Sequence, residues 1–138
     1  MNIYFDSSAW TKRYILEQGT EEVESICFRA EKITLSILCV PEVVSAFTRL
    51  KREGRITPEQ YNRLQKSLYE DIVDVKLINI AMEAINQAVN MIQKFPLRTL
   101  NALHIACAGL SKTDLFVSAD ARQLTAAEGI GLEVRYID

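Results

Sequence analysis

The stretch DLFVSADARQLTAAEGIGLEVRYI, Asp114 to Ile137, reads as strand, helix, strand. DLFVS at 114–118 and LEVRYI at 132–137 are apolar, partly β-branched runs of strand length. Between them DARQLTAAE fits a short helix that Gly129 ends. Working outward, the same alternation fills the chain. NIYF at 2–5, KITLS at 32–36 and VKLIN at 75–79 are further strand candidates, which makes five. SSAWTKRYILEQ and TEEVESICFRA read as helices, the second with Thr20 as N-cap and with Glu21 and Glu22 where the helix dipole favours anions. Pro41 is suited to a first helical position, and the apolar-rich run from Glu42 continues to Gly54, a natural stop. Thr57, Pro58 and Gln60 supply a cap, a first-turn proline and a capping-box partner for Tyr61, Leu64, Leu68 and Ile72. Helices at 81–95 and 99–112 are divided by Pro96, with Thr99 as a cap. Such alternation predicts an α/β fold, a three-layer α/β/α sandwich on a mainly parallel sheet of about five strands, with residues 1–138 as one domain.

Composition agrees with a globular domain and excludes disordered and fibrous classes: 49% of the 138 residues are apolar and 25% charged. The net charge of -2 announces no global nucleic-acid surface, so a polyanion site has to be local. Cys27, Cys39 and Cys107 are odd in number, lack CxxC spacing and lie among apolar neighbours, the pattern of reduced core thiols. The N-terminus lacks a signal-peptide pattern and no run is long and apolar enough to span a bilayer, so the expectation is a cytoplasmic protein without membrane contact.

In parallel α/β sheets ligands bind beyond the carboxyl ends of the strands, where the strand order reverses. Acidic or amide residues stand at four such places: Asp6 after the first strand, Glu42 opening the helix after the second, Asn101 opening a late helix, and Asp120 after the fourth strand. Each alone reads as a helix cap or a dipole partner. Gathered at one edge they would repel, unless a hard cation such as Mg²⁺ or Mn²⁺ with oxygen ligands sat among them.

The segments IYFDSSAWTKRY, CVPEVVSAFTRL, LRTLNALHIACA and LFVSADARQL, in this order and spacing, resemble the PIN-domain ribonucleases, in particular the VapC-like toxins of prokaryotic toxin-antitoxin pairs. The resemblance spans nearly the whole chain. It implies a PIN-like sandwich and a Mg²⁺- or Mn²⁺-dependent endoribonuclease acting on RNA, with Asp6, Glu42, Asn101 and Asp120 as its catalytic, metal-holding quartet. It also implies a homodimer, inhibited by a cognate VapB-like antitoxin. Ser8 and Ser118 match the small hydroxyl residues that the family places beside its first and last carboxylates. Arg98, three residues before Asn101, is suited to meet an RNA phosphate.

One position departs from the pattern. Where such toxins carry Asp before the Ala-Leu-His run, this chain has Asn101. An amide oxygen ligates a hard cation but brings no charge, so ion affinity and activation of water should both fall. The alternative reading is therefore a weakened or inactive PIN protein that binds an antitoxin or RNA. His104, the only histidine, lies near Asn101 on one helix face and is expected to make a structural hydrogen bond. Trp10 and Tyr14 read as a packing pair. The hairpin from 49 to 66 has six basic residues against two acidic ones, a local charge of +4 that suits either a phosphate-facing wall or a solvated face. Its two helices, 42–53 and 57–73, carry enough apolar residues to suggest the dimer face. A hydrolase triad lacks a GxSxG signature, and a phosphoacceptor receiver domain would need paired acids after the first strand.

Overall fold

A computed structural model describes all of residues 1–138. Five parallel strands form one sheet: β1 (Asn2–Phe5), β2 (Lys32–Ser36), β3 (Lys76–Ile78), β4 (Leu115–Ser118) and β5 (Val134–Tyr136), in the order β3-β2-β1-β4-β5. Seven helices alternate with them: α1 (Ser7–Trp10), α2 (Thr20–Arg29), α3 (Cys39–Arg52), α4 (Pro58–Val73), α5 (Met82–Lys94), α6 (Thr99–Leu110) and α7 (Ala121–Gly129). The side-chain alternation of the strands builds two cores. Ile3, Phe5, Leu35 and Val117 face α1 to α4, burying Val23, Val43, Phe47 and Leu68. Tyr4 and Phe116 face the other way, onto Ala84, Ala88 and Met91 of α5, the apolar body of α6, and Ala126 and Ala127 of α7. The sheet is thus the middle of three layers.

From β1 the chain builds outward to β2 and β3, then returns to place β4 on the other side of β1. The order therefore reverses between β1 and β4. Their carboxyl ends are stitched there by the Asp6 N–H, which donates to the Val117 carbonyl at 3.0 Å.

All five strands lie within the stretches read from sequence, and the Thr57–Gln60 capping box is closed in both directions, at 2.8 and 3.1 Å. Thr57→Ala should cost about 1 kcal/mol, read as a fall of about 3 °C in melting temperature. Helix starts and stops differ elsewhere. The first helix does not continue to residue 18: after Trp10 it tightens into a 3₁₀ turn, Thr11–Arg13, and ends. Arg13 and Tyr14 are drawn instead onto Asp71 of α4, at 3.3 and 2.7 Å, and the Tyr14 ring packs edge-on against Phe47 and Trp10. Gly19, not Thr20, caps α2; its φ of +94° is left-handed, and a Cβ there would lie 2.5 Å from Ile137. Helix α3 begins at Cys39, so Pro41 is its third residue, still within the first turn, whose N–H groups have no intrahelical acceptor. Arg98, not Thr99, precedes α6 as its cap residue.

The apolar residues of α3 and α4 mostly pack inward, with Val43, Phe47, Leu50 and Leu68 buried and only Tyr69 and Val73 among the large exposed ones. The longer exposed apolar stripe runs along α5 through Met82, Ile85, Val89 and Ile92. No helix is long and apolar enough to cross a membrane. The three cysteines are free.

Candidate active site

The switch point between β1 and β4 opens into a polar cleft of about 260 Å³ whose walls include Asp6, Glu42, Asn101 and Asp120. Local structure explains each placement. Asp6 follows β1 and caps α1, accepting from the Ala9 N–H at 3.0 Å. Glu42 stands in the first turn of α3 and Asn101 in the first turn of α6. Asp120 follows β4 and caps α7, accepting from the Arg122 N–H at 3.0 Å. All four sit at helix N-termini, where the dipole stabilises negative charge.

Asp6 is only 1% exposed and accepts four hydrogen bonds: Oδ1 from Ala9 N–H and the Ser8 hydroxyl, Oδ2 from the Ser118 hydroxyl and the Gln123 amide, the last three each at 2.7 Å. Burial nevertheless pushes its pKa up, against the lowering effects of His104 and of the Ala9, Ser118 and Ser8 donors. Glu42 goes the other way. Burial raises its pKa, but the His104 hydrogen bond, the attraction of that ring and the Ser7 hydroxyl outweigh it, so the carboxyl titrates below its usual range. The His104 Nε2–H donates to Glu42 Oε1 at 2.6 Å and the Ser7 hydroxyl donates to the same oxygen at 2.7 Å. The Tyr4 hydroxyl, which burial keeps protonated, hydrogen-bonds with His104 Nδ1 at 2.7 Å. His104 thus makes the structural hydrogen bonds expected of it, and it does so inside the cleft wall.

Asp120 is held low by Arg122, whose guanidinium reaches both carboxylate oxygens at 3.0 Å from an exposed position. The Asn101 amide bridges the cleft, its Nδ2 donating to Asp120 at 3.3 Å while its Oδ1 accepts from Gln123 at 3.2 Å.

No family model and no curated protein matches the sequence. Solved structures do match. A toxin-antitoxin complex from Klebsiella pneumoniae aligns at TM-score 0.73 and 12% identity, over 99% of this chain and 98% of that one. VapC20 from Mycobacterium tuberculosis, a sarcin-ricin loop cleaving toxin, aligns at TM-score 0.67 and 13% identity, over 90% and 94%. VapBC2 from Rickettsia felis, bound to a DNA fragment from its promoter, aligns at TM-score 0.72 and 9% identity over the whole of both chains. The chain has the VapC-like PIN fold.

Within this VapC-like fold the other residues singled out from sequence fall in different places. Ser8 lines the cleft, donating to Asp6 and accepting from the Ala119 N–H at 3.0 Å. Ser118 is buried beneath it, its hydroxyl turned to Asp6. Arg98 is exposed and is not part of the cleft wall. Ser7, Thr11 and Gln123 line the cleft without having been singled out. For Gln123 a signal existed: it lies three residues after Asp120 on a helix, hence near it on one face.

The donor set suits a hard cation. Three carboxylates and the Asn101 amide bring oxygen to one cleft. The acids are nonetheless turned toward internal donors. No three His, Cys, Asp or Glu side chains gather as closely as one bound ion would require.

Proposed function

We propose that the chain is an endoribonuclease toxin that hydrolyses RNA phosphodiester bonds with Mg²⁺ or Mn²⁺ and is inhibited by a VapB-like antitoxin. The observation that carries the reading is the convergence of Asp6, Glu42, Asn101 and Asp120 on one cleft at the strand-order switch. Those four residues would hold the ion, which when bound supplies Lewis-acid chemistry to the phosphodiester. Glu42 stays ionised at neutral pH, and Ser7 and His104 hold its Oε1 while its Oε2 has no protein partner. That leaves one carboxylate oxygen to ligate or to take a proton from attacking water. Ser8 and Ser118 hold Asp6 in place and Ser8 alone faces the cleft, so substrate contact falls to Ser8. A phosphate role for Arg98 would need a substrate reaching past the cleft rim. The antitoxin partner is supported by neighbours that are toxin-antitoxin complexes. A homodimer belongs to the same proposal, supported by the apolar stripe of α5.

The test is cleavage of structured RNA by the purified chain with Mn²⁺. Cleavage that stops on chelation is the expected result, and an intact substrate for both this chain and its Asn101→Asp variant would overturn the enzymatic reading. Such silence would favour the second reading, a binding module. That reading has its own support in the mutual satisfaction of Asp6, Asn101, Asp120 and their internal donors.

A further inference from the structure

Gln123 is 2% exposed, yet it belongs to the wall of a polar cleft and to no part of the apolar core. Its Nε2 donates to Asp6 Oδ2 at 2.7 Å and to Asn101 Oδ1 at 3.2 Å, tying together two of the four residues assigned to the ion. Its Oε1 is buried and has no partner. A carboxylate only accepts, so the amide has to present its nitrogen to Asp6, and that choice is what strands the oxygen. An amide nitrogen directed at a carboxylate offers partial positive charge where a cation would offer full charge.

We propose that Gln123 fills the cation's place at Asp6 in the metal-free site and has to turn away for a divalent cation to bind. The proposal rests on the metal-dependent reading above. Asp6 has four donors, and they differ in how they are anchored. Ala9 donates from the backbone of α1. The Ser8 hydroxyl is held in place by the Ala119 N–H, and the Ser118 hydroxyl by the Asp120 N–H at 2.9 Å. Gln123 alone reaches in on a flexible side chain, and it alone carries an unsatisfied buried atom. Stranding a polar atom is costly, so this donor is the easiest of the four to displace. Turning that amide away relieves the stranded Oε1 and leaves Ser118 as the only donor to Asp6 Oδ2, opening one acceptor site on that oxygen to the ion. The chain then holds its buried carboxylate in one geometry whether or not the ion is present, at the cost of a competing internal donor.

The test compares Mg²⁺ binding by the unaltered chain and by Gln123→Met, which keeps the side-chain length and removes the amide. Calorimetry should show about tenfold tighter binding by the variant, or ~1.4 kcal/mol, because no charge-assisted hydrogen bond has to be broken first. Its metal-free melting temperature should fall. In the unaltered chain the Gln123 side-chain amide signal, assigned by through-bond NMR, should move on Mg²⁺ saturation, a measurement that does not depend on the variant folding. Equal or weaker Mg²⁺ binding by Gln123→Met, or a Gln123 amide unmoved by saturating Mg²⁺, would overturn the proposal while leaving the metal-dependent reading intact. Absence of Mg²⁺ and Mn²⁺ binding in both chains would overturn that reading and the proposal together.

Discussion

The Asn101→Asp variant should bind Mg²⁺ or Mn²⁺ and cleave RNA roughly 10- to 100-fold better than the chain as it stands, the range seen when a partner of a metal site is gained or lost. Asn101 already stands in the cleft between Gln123 and Asp120, so the new carboxylate faces the ion once the Gln123 amide has turned away. It adds the charge that a neutral amide cannot supply to a hard cation. Without metal the effect reverses. The Asn101 Nδ2 now donates to Asp120 at 3.3 Å, and a carboxylate in its place would replace that attraction by repulsion. Like charges raise each other's pKa, so the metal-free variant should lose stability at neutral pH and recover it as pH falls and the acids protonate. Melting curves with and without Mg²⁺ check this: the variant should start lower and gain more. Equal Mg²⁺-dependent gains and equal cleavage in the two forms would remove Asn101 from the site.

Asp6→Asn should separate function from stability. RNA cleavage should fall by more than about 100-fold, beyond the loss typical of an outer partner of a metal site, because Asp6 is the most deeply placed carboxylate of the cleft. Metal-free stability should instead rise by roughly 0.5–2 kcal/mol, the usual size of a single stabilising substitution. Burial raises the Asp6 pKa above its ordinary value despite four donors, which marks the ionised form as a net cost in the folded state. A carboxylate whose folded pKa is raised stabilises nothing at neutral pH: its cost is fully present above the folded pKa and is relieved as pH falls through it. Asparagine removes the charge and keeps an oxygen for Ser8 and Ala9, its new N–H can satisfy the stranded Gln123 Oε1 after that amide turns, and the Ser118 hydroxyl, losing Oδ2 as acceptor, retains the Asp120 carbonyl at 3.3 Å. The expected readouts are a melting temperature higher by about 2–6 °C and a flatter dependence of stability on acidic pH. A variant that melts several degrees below the original would show that the buried charge is stabilising.

Much of this molecule is legible locally. Strand positions, the inward alternation of Ile3, Tyr4 and Phe5, and the Thr57–Gln60 cap follow from side-chain period and from bonds spanning three residues, which neighbours in sequence decide among themselves. The placement of Asp6, Glu42, Asn101 and Asp120 at the starts of helices was equally readable, because the ends of strands and helices are marked in the chain, and the parallel sheet then carries those ends to one edge. What sequence could not decide is where a side chain turns once partners distant in the chain arrive. The first helix stops at Arg13 because Asp71, 58 residues away, captures Arg13 and Tyr14. Ser118 faces down to Asp6 and not out to the cleft, His104 links Tyr4 to Glu42, and Gln123 reaches across the sheet edge to a carboxylate 117 positions earlier. Those choices are settled by the competition of buried donors for few acceptors, and that competition exists only after the three layers have closed.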